Sequence, residues 1–231
     1  MNNVTEPKDN KKTIYIVAGV IGAIGLIILL YFMLKPSPPP PEVDKKPIIY
    51  LYPEQKTTVN VQLDYQGELT TTYPKYDASK GWIVEAQPNG TLVDPITQKE
   101  YYGLYWEGKD SYQYDLSKGF VVQGEDAADF LDEKLETLGL NRREANEFIV
   151  YWLPILEQNE YNFIHFAQEE YTQRAELNIT PTPETFIRLL MCFKSLASPI
   201  NIEPQELKAP QRKGFTVVEW GGREVGQNIL Q

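Results

Sequence analysis

Cysteine and histidine are nearly absent from this 231-residue sequence, which contains one of each, Cys192 and His165. One cysteine cannot form an intrachain disulfide, and a zinc site built from His and Cys needs more ligands than these two residues supply. The sequence also lacks the Gly-x-Ser-x-Gly elbow of serine hydrolases and the spaced glycines of a phosphate-binding loop. We therefore predict no metal and no cofactor, and we interpret both residues as structural side chains.

Basic residues are also scarce. The chain has 22 Lys and Arg against 32 Asp and Glu, and residues 47–231 contain 16 basic and 28 acidic side chains, a net charge of −12. A domain with this charge is repelled by phosphate backbones and by anionic lipid head groups. Nucleic acid is therefore excluded as a predicted partner, whereas cations, carbohydrates and basic proteins stay open.

Charged residues are missing from 13–34, a run of 22 mostly apolar residues. At ~1.5 Å per residue a helix of this length would match a hydrocarbon core of about 30 Å. A cleaved signal peptide is the alternative, but its apolar region is shorter and ends at a small-residue cleavage site. We therefore predict an uncleaved transmembrane signal anchor over 13–34, a cytoplasmic tail over 1–12, and single-pass membrane localisation with the C-terminal domain outside.

Small residues within the apolar run predict self-association of the helix, and prolines after the run predict a stiff linker. Gly19, Gly22 and Ala23 fit the small-xxx-small spacing that lets two helices approach closely, which predicts self-association, although such residues are common in membrane helices. The prolines of 35–46 favour polyproline II, so we interpret this segment as a stiff stalk, with a ligand for a proline-binding module as the alternative. Residues 47–231 then form a single extracytoplasmic globular domain.

The hydrophobic pattern of this domain changes period twice. Strand-like segments come first, and in 56–65 the alternation places Val59, Val61 and Leu63 on one face. Residues 126–138 then show helical spacing, and a capping box at 141–144 begins a second helix that Pro154 should stop. Strands return after this proline.

This order of elements predicts an α+β domain that is rich in β-structure. We expect an antiparallel sheet or sandwich with an inserted helical hairpin, preceded by one transmembrane helix. The long apolar segment 186–194 should be a central strand, and the last strand should end at Gly221 and Gly222.

Four segments resemble parts of an uncharacterised domain family, in the same order. They are 46–53, 104–108, 146–154 and 214–222, which read KPIIYLYP, LYWEG, NEFIVYWLP and GFTVVEWGG. The likeness extends over nearly all of 46–222. No activity or binding residue is established for that family, so the resemblance implies one integral domain and carries no function.

Three acidic residues flanked by aromatic side chains, Glu107, Glu147 and Glu219, are the candidates for chemistry. A carboxyl group buried beside apolar rings keeps its proton to a higher pH, which suits a general acid. Two such groups across a cleft, Glu107 and Glu219, could work as a glycosidase pair. A structural explanation competes with this one, because a buried Glu needs a partner and Arg188, inside an apolar strand, needs one too.

Aromatic residues are abundant, with 15 Tyr, 9 Phe and 4 Trp, and exposed Tyr and Trp favour contact with proteins or carbohydrates. The predicted binding residues are Tyr105, Trp106, Trp220 and Arg188. The principal hypothesis is a membrane-tethered extracytoplasmic binding or structural module, a component of an envelope or surface assembly, with a protein partner or carbohydrate. The alternative is a surface hydrolase, similar to a glycosidase, that uses paired carboxylates. Binding is favoured over catalysis.

Overall fold

The structure, a computed structural model, describes residues 15, 24–26, 28–31, 34 and 42–226. The chain divides into two units, 1–39 and 40–231, and the elements named below all belong to the second unit. The first strand begins at Glu42, so the sheet includes residues 42–46, which the sequence assigned to the stalk.

A seven-stranded sheet is the middle layer of this unit. In spatial order its strands are β3 (Glu68–Tyr73), β7 (Leu104–Asp110), β1 (Glu42–Tyr52), β12 (Thr216–Glu224), β11 (Thr185–Leu196), β9 (Tyr161–Ala167) and β8 (Phe120–Gln123). β11 and β12 are parallel, whereas the other neighbouring pairs are antiparallel. The predicted antiparallel sheet is thus a mixed sheet, because residues 197–215 cross back and bring β12 in beside β11 in the same direction.

A five-stranded antiparallel sheet packs on one face of the seven-stranded sheet. Its strands are β10 (Ala175–Thr180), β2 (Thr57–Tyr65), β4 (Trp82–Ala86), β5 (Leu92–Val93) and β6 (Glu100–Tyr101). Val59, Val61 and Leu63 of β2 are buried, as their alternation predicts, and they share a core with Leu51 and Val217 of the larger sheet. This core between the two sheets buries apolar surface from both, which stabilises the pair of layers.

Two helices, α1 (Ala127–Thr137) and α2 (Arg142–Leu156), cover the other face of the seven-stranded sheet. The predicted capping box is confirmed, since Asn141 and Glu144 exchange side-chain and backbone hydrogen bonds. The prediction that Pro154 stops α2 is wrong: the helix continues to Leu156. Proline removes the helical hydrogen bond to the carbonyl four residues earlier, and its ring crowds that carbonyl, which here belongs to Val150, an exposed residue.

Two shorter helices complete the described elements, a 3₁₀ helix at Gly124–Asp126 and α3 at Glu169–Arg174. The sequence reading did not predict α3, because its six residues are too few to show helical periodicity. Its Tyr171 is fully buried against the core between the sheets.

No helix among the described residues is long and apolar enough to cross a membrane. A span needs about 20 consecutive apolar residues, whereas α2, the longest helix in the described part, has 15 residues and a polar face. This finding overturns the predicted transmembrane helix over 13–34, and with it the signal anchor and the single-pass membrane localisation. Most of 13–34, including Gly19, Gly22 and Ala23, and all of 1–12 lie outside the described residues.

Candidate functional site

A bulge in β1 shapes the most distinctive surface of the domain. The pairing of β1 shifts register between Lys45 and Ile48 against β12 and between Asp44 and Ile48 against β7. Lys46, inside the bulge, has φ of +63°, in the left-handed region that costs a residue other than glycine roughly 1–2 kcal/mol. Pro47 packs on Gly221 of β12, where an added Cβ would lie 2.9 Å from the proline ring. The glycine therefore allows the bulge to lie close against its neighbouring strand.

The bulge holds the Lys46 ammonium group between two tyrosine rings. Its Nζ atom lies 5.9 Å from the ring centroid of Tyr105 on β7 and 5.4 Å from that of Tyr151 on α2. Each such cation–π contact contributes about 0.5–1 kcal/mol at a partly exposed site. Within the described residues, this ammonium group has no ion-pair or hydrogen-bond partner. Its three N–H donors are therefore available to a ligand.

A groove of about 470 Å³ opens beside this lysine, between the larger sheet and α2. We call it the Lys46 groove, and its walls include Lys46, Tyr102, Arg143, Asn146, Val150 and Tyr151. The side chains of Tyr102 and Val150 are 49% and 75% exposed, so the groove offers apolar surface to a ligand. Its volume falls within the range of about 300–1,000 Å³ that is usual for small-molecule sites.

Glu147 forms part of the same wall, but its carboxylate is already occupied. Its Oε2 atom accepts a hydrogen bond from the Tyr50 hydroxyl at 2.7 Å, and its Oε1 atom accepts one from Arg143 Nε at 3.1 Å. Burial, and then the hydrogen-bonded Glu147, raise the pKa of Tyr50 well above its ordinary value, so Tyr50 remains a donor. Glu147 therefore fixes the wall and orients Arg143 instead of serving as a free acid.

The other polar side chains of the groove are mainly hydrogen-bond donors that have no partner in the described residues. Arg143 uses only Nε on Glu147, so both Nη atoms are unengaged, and Asn146 makes no side-chain hydrogen bond within 42–226. Together with the Lys46 ammonium group, these donors fit a ligand that is rich in acceptor oxygens.

Glu107 lies next to the groove, on the face of β7 that also carries Tyr105. Burial, and then a hydrogen bond to Glu107, raise the pKa of Tyr105, and burial together with the Glu107 charge raises that of Tyr151. The two tyrosines that flank Lys46 therefore keep their protons and offer neutral ring faces to its ammonium group.

Glu219 lies on the opposite face of the same sheet. It is fully buried between the sheets, where its carboxylate accepts hydrogen bonds from Arg188 Nε at 2.7 Å and from Trp106 Nε1 at 2.8 Å. Trp106 of β7 points into the core between the sheets, where it meets Glu219. Because neighbouring residues of a strand point to opposite faces, Glu107 points to the face that the helices cover. Glu107 and Glu219 therefore do not face each other across a cleft, which the glycosidase arrangement requires.

The predicted binding residues are placed in different environments. Trp106 and Trp220 are fully buried, and Arg188 is buried against Glu219 and the carbonyl oxygen of Ala175. Tyr105 is the one member of the predicted set that contacts the Lys46 groove.

Sequence reasoning missed Lys46, Arg143, Asn146 and Tyr151 as groove residues. A signal existed for three of them, since Lys46 begins the first resembling segment, and Asn146 and Tyr151 lie in the third. The positive φ of Lys46 could not be predicted from the sequence. Lysine gives no sign of a left-handed backbone, as a glycine would, and the bulge depends on pairing with two strands that are distant in the chain.

A second buried ionic network lies further along β12. The guanidinium group of Arg223 donates to Asp44 Oδ1 at 2.7 Å and to Asp110 Oδ2 at 2.9 Å, and the Tyr65 hydroxyl lies within hydrogen-bond distance of both carboxylates, at 3.0 Å from Asp44 Oδ2 and 2.7 Å from Asp110 Oδ2. Burial raises the pKa of Asp44 to about 6, although Arg223 opposes this shift. Burial would raise the pKa of Asp110 as well, but hydrogen bonds from Arg223 and Tyr65 outweigh this effect and hold the pKa below its ordinary value. Asp44 is therefore the carboxyl group of this network that takes up a proton first.

Metal ligands are not grouped in the described part of the chain: no cluster of three or more His, Cys, Asp or Glu there could hold an ion. Cys192 is fully buried, and burial raises the pKa of its thiol. His165 is buried with Nδ1 at 2.9 Å from the Lys118 carbonyl, and burial lowers its pKa.

Comparisons with known proteins give one relative. The chain is 42% identical over 66 residues to the "Uncharacterized protein in bglA 3'region" of Butyrivibrio fibrisolvens, an alignment that covers 28% of this chain and 67% of that protein. No family model matches the chain. No solved structure matches it either.

Proposed function

We propose that this chain, which belongs to the same family as the uncharacterized protein of Butyrivibrio fibrisolvens, is a binding module whose ligand occupies the Lys46 groove. The relative's name assigns no activity, so the proposal rests on the geometry of the groove alone.

The state of Lys46 is the observation that carries the proposal. Its backbone is held in the left-handed region, the residue is half-buried, and its ammonium group has no ion-pair or hydrogen-bond partner within the described residues. The left-handed backbone costs folding free energy, and a fold that needed only stability could have glycine at this position. Backbone strain of this kind clusters at functional sites, where a ligand can offset the cost.

Binding is favoured over catalysis by the arrangement of the carboxylates. Glu147 has both oxygens engaged, Glu219 is buried on the other face of the sheet, and Glu107 is hydrogen-bonded to Tyr105. A hydrolase of the paired-carboxylate type would need two such groups about 5–10 Å apart in one cleft. The groove offers donors and ring faces, which suit recognition.

A fragment screen by NMR on the full chain, with tyrosine rings isotopically labelled, tests the proposal. We expect small polar and aromatic fragments to shift the resonances of Tyr102 and Tyr151, and the Tyr102→Ala and Arg143→Ala variants to lose these hits. Tyr161 is a matched control, since this half-buried tyrosine lies on β9, three strands from β1, and should not respond. Hits that map only to Tyr161 or elsewhere, or the lack of any hit, would refute the groove as the binding site.

A further inference from the structure

We infer that the ligand of the Lys46 groove is an acidic sugar, a hexuronate unit of an oligosaccharide. This inference rests on the proposed function and specifies the chemistry of the ligand. Three properties of the groove support this inference. They are its free hydrogen-bond donors, its exposed ring surfaces, and the pairing of the surrounding strands on both sides.

The donors point to a ligand with a carboxylate. Lys46 is a cationic donor without an anionic partner in the described residues, whereas Arg143 forms an ion pair with Glu147 through Nε and keeps its two Nη atoms unengaged. The adjoining residues 47–231 carry a net charge of −12, so the unpaired Lys46 ammonium group is an exception to the surrounding charge. An arginine and a lysine together can hold a carboxylate through charge-assisted hydrogen bonds.

The ring surfaces favour a sugar over a small inorganic anion. Tyr102 is 49% exposed, and Val150 and Tyr151 continue the apolar surface beside it. A pyranose ring has an apolar C–H face that can lie on such side chains, while its hydroxyl groups reach polar groups at the edge. The amide of Asn146, without an intramolecular partner in 42–226, both donates and accepts and therefore suits a hydroxyl group.

The backbone around the groove argues against an extended peptide that adds a strand to the sheet. A peptide recognised in this way needs an unpaired strand edge, which supplies main-chain hydrogen bonds. β1 lies between β7 and β12, β7 lies between β3 and β1, and α2 uses its backbone groups within the helix. The groove therefore recognises its ligand through side chains, which fits a sugar better.

Isothermal titration of the full chain with matched ligands tests the inference. The probes are di- to tetrasaccharides of galacturonic, glucuronic and mannuronic acid, and the same oligosaccharides as methyl esters, which lack the charge. We expect saturable binding of at least one acid, with its ester bound about 10-fold or more weakly, since hydrogen bonds to charged groups account for such factors. Lys46→Met should remove the preference for the acid, and Tyr102→Ala should weaken both forms. Lys80→Met, at an exposed lysine outside the groove, should change neither.

Each contrary outcome is distinct. Equal affinity for acid and ester would overturn the assignment of a carboxylate. No binding of either form, with fragments still mapping to Tyr102 and Tyr151, would overturn this inference and leave the proposed binding function standing. No sugar binding and no fragment binding would overturn both. Lys46-dependent binding of a glutamate-rich peptide in place of the sugars would overturn the inference in favour of a peptide.

Discussion

The carboxylate of Glu219 lies 2.7 Å from the Nε atom of Arg188, inside the core between the two sheets. The two residues are directly paired in the parallel register of β11 and β12. Trp106 donates a further hydrogen bond to Glu219 at 2.8 Å, and Arg188 also donates to the Ala175 carbonyl oxygen. Two charges that would each be costly to bury alone therefore satisfy one another.

The first prediction concerns the loss of one partner from this pair. Glu219→Gln leaves the Arg188 charge buried without an anion, and we expect the free energy of unfolding to fall by about 3–5 kcal/mol. The double variant Arg188→Met with Glu219→Leu removes both charges and should recover much of this loss. Urea unfolding of the full chain measures both changes, and a Glu219→Gln variant as stable as the wild type would contradict the pairing.

The pairing shows what the sequence could predict about the fold. An acid beside a tryptophan and an arginine inside an apolar strand each need a partner, so the residues themselves suggested that Arg188 pairs with one of the candidate glutamates, without identifying it as Glu219. Strands and helices were predictable where their signals are local, as with the alternation of apolar residues in β2 and the capping box at 141–144. Parallel pairing of β11 with β12 was not predictable, since it depends on the path of 197–215, which has no regular pattern.

The Lys46 groove was largely beyond prediction for a physical reason. Its walls come from the bulge in β1, the segment before β7, and α2, which are far apart in the chain. Periodicity places a side chain on a face, but it does not say which other element covers that face. Tyr105 was identified because it lies in an aromatic cluster, whereas Lys46 was assigned to the stalk, since nothing in the local sequence indicates that β1 begins at Glu42.

The second prediction concerns the close approach of β12 to α2. Sequence reading ended the last strand at Gly221 and Gly222, but β12 runs through both glycines to Glu224. A Cβ added at Gly222 would lie 2.5 Å from Cζ2 of the Trp152 indole, so the glycine makes room for this ring. We expect Gly222→Ala to lower the free energy of unfolding by about 1–3 kcal/mol through overpacking.

Gly226→Ala is the matched control for this substitution. The nearest atom to an added Cβ there is Glu42 Oε1 at 3.4 Å, an ordinary contact distance, so we expect little change in stability. Thermal or urea unfolding compares the two variants. Equal stability of both would mean that Trp152 has room to move and that the glycine is not required.

The third prediction concerns the contribution of Asp44 to the pH dependence of stability in the weakly acidic range. Its pKa is about 6 in the folded state against 3.8 for the ordinary carboxyl group, because burial outweighs the neighbouring Arg223. Between these pH values the folded state binds more protons than the unfolded chain, so the free energy of unfolding falls as pH rises from about 4 to about 6. The difference between the two pKa values corresponds to about 3 kcal/mol.

Asp44→Asn isolates this contribution. The amide stays neutral at every pH and can still accept a hydrogen bond from Arg223, so we expect its stability curve to lose the decline between pH 4 and pH 6. Urea unfolding at closely spaced pH values, for wild type and variant in parallel, measures the difference. If the two curves have the same slope over this range, Asp44 is not the group that titrates.

The fourth prediction separates the two roles assigned to Lys46, strain in the backbone and contact with a ligand. Glycine relieves the left-handed strain and alanine does not, so we expect Lys46→Gly to be about 1 kcal/mol more stable than Lys46→Ala. Both variants lack the ammonium group, and both should lose the fragments that shift Tyr102. Gln98, with φ of +57° in an exposed turn, offers the matched pair Gln98→Gly and Gln98→Ala. That pair should show the same order of stability and keep full binding. Retained binding in Lys46→Gly would show that Lys46 does not contact the ligand, and a more stable Lys46→Ala would show that the bulge is not strained.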